Sequence, residues 1–437
     1  MSVLNPDATT PTPGVSRPPA PKPPTPLPTR TPADVRAALL ARVEIALLDV
    51  REEAAYAEAH PLWAANLAAS RLELDAWGRL PRRDVPIVLY DDGEGVAAAS
   101  ARKLQALGYT DVALLAGGLT AWREDGLELF RDVNVPSKAF GELVEARRHT
   151  PSLPAEDVQE RLARGDKLVL LDARRFDEYR TMSLPGSIST PGGELVRRAR
   201  DLAPDPSTTI VVHCAGRTRS LIGAQSLIDA GVPNPVAALR NGTIGWTLAG
   251  LTLAQGQGRS HEDVPVGNPT AAREGAAALA HRARVRRIDA SIVAEWLADT
   301  RRSTYRFDVR SAAEYGRGHR PGFRNAPGGQ LVQETDHHVP VRGARIVLAD
   351  DDGIRAPMAA AWLAQMGWEV AVLAPDAAAH TETGPDLPPQ PLSPTVATVT
   401  PAELARWRAD EADREQADTV VVDVAPSITY IVRHIPG

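Results

Sequence analysis

Residues 210–231 read IVVHCAGRTRSLIGAQSLIDAG. An apolar run ends at His213. Cys214 then opens a tight loop through Ala215, Gly216, Arg217, Thr218 and Arg219. From about Ser220 the apolar residues recur near every 3.6 positions until Gly231, a residue suited to the left-handed turn after a helix. The stretch therefore predicts strand, loop and helix. Residues 167–171 and 232–240 add further short strands. Continuous apolar runs of this kind fit strands covered on both faces. Strand alternating with helix at this spacing implies parallel strands joined by right-handed crossovers.

Working outward, the same pattern recurs. Apolar runs end in aspartate at Asp49, Asp172, Asp308 and Asp423. Seven residues on stands a tyrosine in all four: Tyr56, Tyr179, Tyr315 and Tyr430. Two residues on stands an arginine in the first three: Arg51, Arg174 and Arg310. Eleven residues on come His60, Ser183, His319 and His434. A second strand ends 42 residues after the aspartate, at Asp91, Cys214 and Asp350, and a glycine follows 17 residues later at Gly108, Gly231 and Gly367. Three units thus share one ungapped frame, and a fourth shows only its beginning. The expected division is a disordered proline-rich tail over 1–31, then units at 32–130, 150–256 and 284–376, and an incomplete unit at 396–437. Linkers are expected near 131–150, 257–283 and 377–396, and a further strand over 419–424.

Composition bounds the function. The 437 residues carry 49 Lys plus Arg against 55 Asp plus Glu, a net charge of −6, so nucleic acid is not an expected partner. No apolar run approaches the ~18 residues needed to span a bilayer. The first residues lack the basic start and apolar core of a secretory signal, and a cytoplasmic location is expected. Cys214 is the only cysteine, which excludes an internal disulfide and a multi-cysteine metal site. No metal and no cofactor are expected.

Cys214 lies beyond the carboxyl end of a strand, where parallel α/β sheets form their sites. The loop aims N–H groups inward, the helix start adds partial positive charge, and Arg217 and Arg219 are expected to add full charges. All three favour thiolate over thiol and hold an anion. A packed structural cysteine is the bland alternative, but it leaves a glycine and two arginines at a strand–helix junction unexplained. A cysteine phosphatase loop places its arginine six residues after the cysteine; here Arg219 is at five, a tighter ring better suited to a single sulfur than to a tetrahedral phosphate.

The segments HCAGRTRS (213–220), LDARRFDEY (171–179), GHRPG (318–322) and HIPG (434–437) resemble signatures of the rhodanese family, the thiosulfate sulfurtransferases. The resemblance runs from about Ala33 to the end of the chain. It implies tandem three-layer α/β/α sandwiches with central parallel sheets of about five strands. It also implies a ping-pong reaction: Cys214 takes a sulfur from thiosulfate or a similar small anionic donor, holds it as a persulfide, and yields it to cyanide or a thiol. The loop N–H groups from Ala215 to Ser220 would cradle the sulfur, with Asp172 and Arg174 as supporting residues or a structural salt bridge. The alternatives are a persulfide carrier or regulatory scaffold without turnover, and a cysteine-dependent phosphatase.

Units one and three depart from this pattern. Asp91 and Asp350 stand where unit two has Cys214, and their loops, DDGEGV and DDDGIR, are acidic. A carboxylate cannot hold a persulfide, so both units are expected to be silent. Ser183 replaces the histidine of the family signature. His213 is expected to point away from Cys214, Trp122 and Trp246 to serve as core or pocket wall, and His337-His338 to lie in a solvated loop.

Overall fold

The computed structural model describes residues 26–376, 379–386, 397–411, 419–422 and 435. The repeated offsets become one repeated hydrogen-bond network. The strands Ile45–Asp49, Leu168–Asp172 and Thr304–Asp308 each end in the shared aspartate. Its carboxylate takes both the backbone N–H and the guanidinium of the arginine two residues on, with shortest contacts of 2.6 Å in the first and third units and 2.8 Å in the second. Each arginine also donates to the carbonyl eight residues further, at Ala59 (2.8 Å), Met182 (2.5 Å) and Gly318 (2.6 Å). Each tyrosine donates to a carbonyl eight residues on, at Ala64 (3.0 Å), Ser187 (2.9 Å) and Phe323 (2.7 Å). The charges are buried but paired and held by several hydrogen bonds each, the condition under which buried ions are tolerated.

Three sheets follow. The second runs Ser152–Leu153, Val236–Leu239, Thr209–His213, Leu168–Asp172, Ile188–Ser189, all parallel. The third has the same order: Arg286–Ile288, Glu369–Leu373, Arg345–Ala349, Thr304–Asp308, Arg324–Asn325. The first orders Thr29–Arg30, Val112–Leu115, Ile87–Tyr90 and Ile45–Asp49, and Ala65–Asn66 pairs with the last of these. It also takes in Val341–Arg342 from the third unit, antiparallel to Ile45–Asp49. Helices flank the sheets, and the fold class is the α/β architecture read from the sequence.

Several expectations are revised. The tail was expected to reach residue 31; residues 1–25 lie outside the described residues, but Thr29–Arg30 is a strand beside Leu114 and Leu115. The linkers near 131–150 and 257–283 hold the helices Val135–Arg148 and Thr270–Arg282. Their apolar faces are not spare: Val144 shares a buried cluster with Ile222, and Ala272, Ala276 and Leu279 share one with Leu227, Ile354 and Met358. His337 and His338 sit in a short helix, Thr335–His338, and not in a loop. His338 is largely covered, edge-on to Phe307, and burial lowers its pKa to about 3.

The residues from 397 on belong to a separate compact unit. It holds the helix Pro401–Glu411, capped by a Thr400–Glu403 exchange. Residues 419–422, expected as strand, carry no strand pairing. Asp423, Tyr430 and His434 lie outside the described residues.

Candidate active site

Strand register fixes the site. Asp172 pairs with His213, so Cys214 is the first residue beyond the sheet. The helix Thr218–Asp229 begins four residues later. Cys214 is 2% exposed, whereas residues 215–219 are half-buried and Ser220 is buried. The thiol donates to Ser220 Oγ at 3.6 Å, and that hydroxyl donates to the Arg217 carbonyl at 2.8 Å. The loop's own carbonyls face away from the sulfur: Cys214 and Ala215 accept the N–H groups of Thr243 and Ile244 at 2.9 and 3.1 Å.

This last contact exposes a residue that the sequence reading missed. Gly242 has φ +53, and a Cβ there would lie 2.2 Å from the Cys214 carbonyl oxygen. Glycine alone lets the helix Gly242–Leu248 come this close. Its twin in unit one is Gly118, where a Cβ would lie 2.7 Å from the Asp91 carbonyl. The paired stretches GGLTAW and NGTIGW carried that signal. Their tryptophans, Trp122 and Trp246, are buried in the core and donate to the carbonyls of Glu128 and Thr252, both at 3.1 Å.

The backbone N–H groups of residues 215–220 donate to no protein atom among the described residues. The sister loops differ. In unit one the Asp91 carboxylate accepts the N–H groups of Gly93 (3.2 Å) and Ala97 (2.8 Å). In unit three the Asp350 carboxylate accepts those of Gly353 (3.2 Å) and Ala356 (2.8 Å). Ala97 and Ala356 match Ser220 in position; Gly93 and Gly353 match Gly216 and Arg217. Units one and three thus fill the cradle with an internal carboxyl group, and unit two leaves the same amides open beside a sulfur. Burial, and then the neighbouring Asp352, push the Asp350 carboxyl up to about 7.

The two loop arginines, expected to add full charges, are both paired with glutamates. Arg217 bonds Glu142 at 2.9 and 3.2 Å and also Glu145, both on the helix Val135–Arg148. Arg219 makes a two-pronged pair with Glu178 at 2.7 and 2.9 Å. Burial opposes the Arg219 charge, but Glu178 and the adjacent Cys214 sulfur hold its pKa above the ordinary value. Arg219 is therefore the loop arginine whose charge couples to Cys214, and Arg217 is fastened to the helix Val135–Arg148.

Asp172 and Arg174 form the buried pair common to all three units, including the two without cysteine. Ser183 donates to Asp172 at 2.5 Å, whereas His60 and His319 at the same position stack on Tyr56 and Tyr315 at 3.9 and 3.7 Å. His213 is buried with both ring nitrogens unbonded, and burial keeps its pKa below the usual value. With its proton affinity lowered by burial and neither ring nitrogen bonded to the thiol, His213 is poorly placed to act as a base for Cys214.

Comparison with known proteins places this geometry. A family model described as "Rhodanese-like domain" matches residues 31–125, 154–249 and 290–376. The chain belongs to the rhodanese-like family. Its three matched segments each contain one of the loops compared above, and its chemistry is sulfur transfer. A thiosulfate sulfurtransferase of Pseudomonas aeruginosa is 30% identical over 228 residues, 43% of this chain and 83% of the relative. A thiosulfate sulfurtransferase of Azotobacter vinelandii is 27% identical over 274 residues, 54% of this chain and 95% of the relative. A crystal structure of a thiosulfate sulfurtransferase from Pseudomonas aeruginosa is 59% identical with a TM-score of 0.84, over 88% of this chain and 73% of that one. No helix among the described residues of this rhodanese-like chain is long and apolar enough to cross a membrane.

Proposed function

We propose that this chain is a thiosulfate sulfurtransferase whose second unit, residues 150–256, carries the reaction on Cys214, while the units at 32–130 and 284–376 are catalytically silent. The Cys214 thiolate attacks the outer sulfur of thiosulfate. The S–S bond of the donor breaks, sulfite leaves with the bonding pair, and a Cys214 persulfide anion remains. Cyanide or a thiolate then attacks the terminal sulfur and regenerates the Cys214 thiolate. The N–H groups from Ala215 to Ser220, Gly216 and Arg217 included, receive the terminal sulfur's charge in the manner of an oxyanion hole. Arg219 meets the sulfite end of the donor. Thr218 opens the helix whose first amides complete the cradle. Asp172 and Arg174 support the strand end and touch no substrate. The single thiol is free, which suits the reducing cytoplasm that the reading assigns.

One observation carries this reading: six undonated amides surround a cysteine at the position where two sister loops bind a carboxylate. The test follows thiocyanate formed from thiosulfate and cyanide by the purified full chain. Cys214→Ser is expected to lose at least about a thousandfold in turnover with an unchanged circular dichroism spectrum. Retained turnover in that variant would refute the proposal. A persulfide detected by mass without turnover would leave the carrier reading, and phosphate released from an aryl phosphate would favour the phosphatase.

A further inference from the structure

Arg342 is an arginine buried without a counter-ion. It is 5% exposed, and no carboxylate among the described residues lies within ion-pair distance of it. Its Nε makes one long bond, 3.5 Å, to the Leu39 carbonyl, and its two terminal nitrogens donate to no protein atom. The indoles of Trp63 and Trp368 lie against the guanidinium, with centroids 4.9 and 5.2 Å from its central carbon. These rings hold the cation by its faces and leave its N–H edge unused. A second arginine adds to the excess. Arg42 is exposed, makes no ion pair, and lies against Gly367, next to Trp368. Burial first, and then the Arg42 charge, bring the Arg342 pKa down to about 10, so the side chain remains a cation near neutral pH.

Arg342 opens onto a cavity of about 200 Å³ at the seam of the first and third units. Phe140, Leu143 and Met366 give the cavity an apolar wall; Thr335, Gln365 and Asp336, whose carboxyl burial pushes above its ordinary pKa, also line it, and Asp336 makes no ion pair with Arg342. A buried guanidinium without a counter-ion costs free energy unless an anion completes it. We propose that this cavity binds a small apolar carboxylate, its carboxyl on the free edge of Arg342 within the field of Arg42 and its hydrocarbon body against Phe140 and Leu143. The chemical class follows from the walls. The guanidinium edge matches a carboxylate in two-pronged fashion. Apolar walls penalise a bare phosphate, which would lose its hydration on every side but one.

The site is far in sequence from Cys214 and independent of the sulfurtransferase reading. Titration of the full chain with phenylacetate, read by calorimetry, is expected to show one saturable site and to raise the thermal midpoint. Arg342→Gln is expected to weaken binding about tenfold or more. Arg42→Gln, which alters an exposed side chain and keeps the fold, is expected to weaken it about threefold. Cys214→Ser is expected to bind phenylacetate as the parent does, and thiosulfate is expected not to displace it. The proposal falls if phenylacetate shows no saturable binding, if Arg42→Gln leaves the affinity unchanged, if Cys214→Ser or thiosulfate abolishes binding, or if inorganic phosphate binds equally well.

Discussion

The loop after Cys214 and the loop after Asp350 share a strand end, a following helix and an arginine five residues on, yet they use their amides oppositely. In the third unit the Asp350 carboxylate caps the loop from inside. In the second the amides stay open over a thiol. The arginines diverge in parallel. Arg219 has Glu178 and the sulfur. Arg355, 1% exposed, contacts Glu194, Glu314, Asp351 and Asp352 at 2.7 to 3.0 Å. Glu194 belongs to the second unit, so the third loop has become part of the joint between units. The turns carrying that joint meet backbone to backbone: a Cβ on Gly329 would lie 2.8 Å from the Gly193 nitrogen. One scaffold thus carries a loop with open amides where a cysteine stands and a capped, structural loop where an aspartate stands.

The largest expected effect tests the structural half. Arg355→Met leaves four carboxylates around an apolar side chain. Removing one partner of such a buried cluster costs ~3–5 kcal/mol, to be read from urea denaturation of the full chain. Arg219→Met, which deprives one carboxylate, should cost less than half of that. The acid limb gives a second reading. Burial opposes it, but bonds to Arg355 and Ser311 lower the Glu314 pKa to about 2. A depressed carboxyl contributes stability above its unfolded value, and that contribution is lost as pH falls through 4.5 toward about 2. In Arg355→Met this acid-dependent loss should be much reduced. Equal destabilisation by the two substitutions would erase the distinction between the loops.

Next comes a direct conversion. Cys214→Asp places in the open cradle the side chain that its sisters hold. If the amides of Gly216, Arg217 and Ser220 hold a carboxyl as those of units one and three do, their bonds offset most of the cost of burying it and the variant folds with a loss no larger than ~1–3 kcal/mol, while thiocyanate formation vanishes. A larger loss would show that the second loop is shaped against a carboxyl group, and the cradle reading would fail with it.

The parts legible in the sequence are those bound by short, fixed offsets. Asp172 and Arg174 satisfy one another, and Tyr179 donates to the Ser187 carbonyl, within a single strand-and-turn, so their spacing recurs wherever that turn recurs. The Cys214 loop is legible for the same reason. What was hidden depends on residues distant in sequence. Glu142, Glu145 and Glu178 neutralise the loop arginines from other helices, and no local pattern announces them. The helices Val135–Arg148 and Thr270–Arg282 read as linkers because small residues and alanines bury their faces without a strong apolar rhythm. Val341–Arg342 crosses into the first sheet through only two residues, too few for any alternation to register. The Gly242 requirement comes from a backbone approach between segments distant in sequence, for which the glycine shared by GGLTAW and NGTIGW was the only local sign.

The smallest effect concerns how the reactive loop is tuned from outside. Arg217 is tied to Glu142 and Glu145, and its side chain is 38% exposed, so the pairing is weak, ~0.5–1 kcal/mol. A dianionic donor approaching the Cys214 loop must meet these carboxylates as well as the arginine. Glu142→Gln with Glu145→Gln removes the repulsion and frees the Arg217 guanidinium toward the mouth of the loop. The KM for thiosulfate is then expected to fall about two- to fivefold, while kcat stays within about twofold, because neither glutamate touches the reacting sulfur. The difference should shrink as salt rises, since the groups are exposed to the screening solvent. An unchanged KM at low salt would place Arg217 outside the donor's reach and leave Arg219 as the cation that the open loop presents to its substrate.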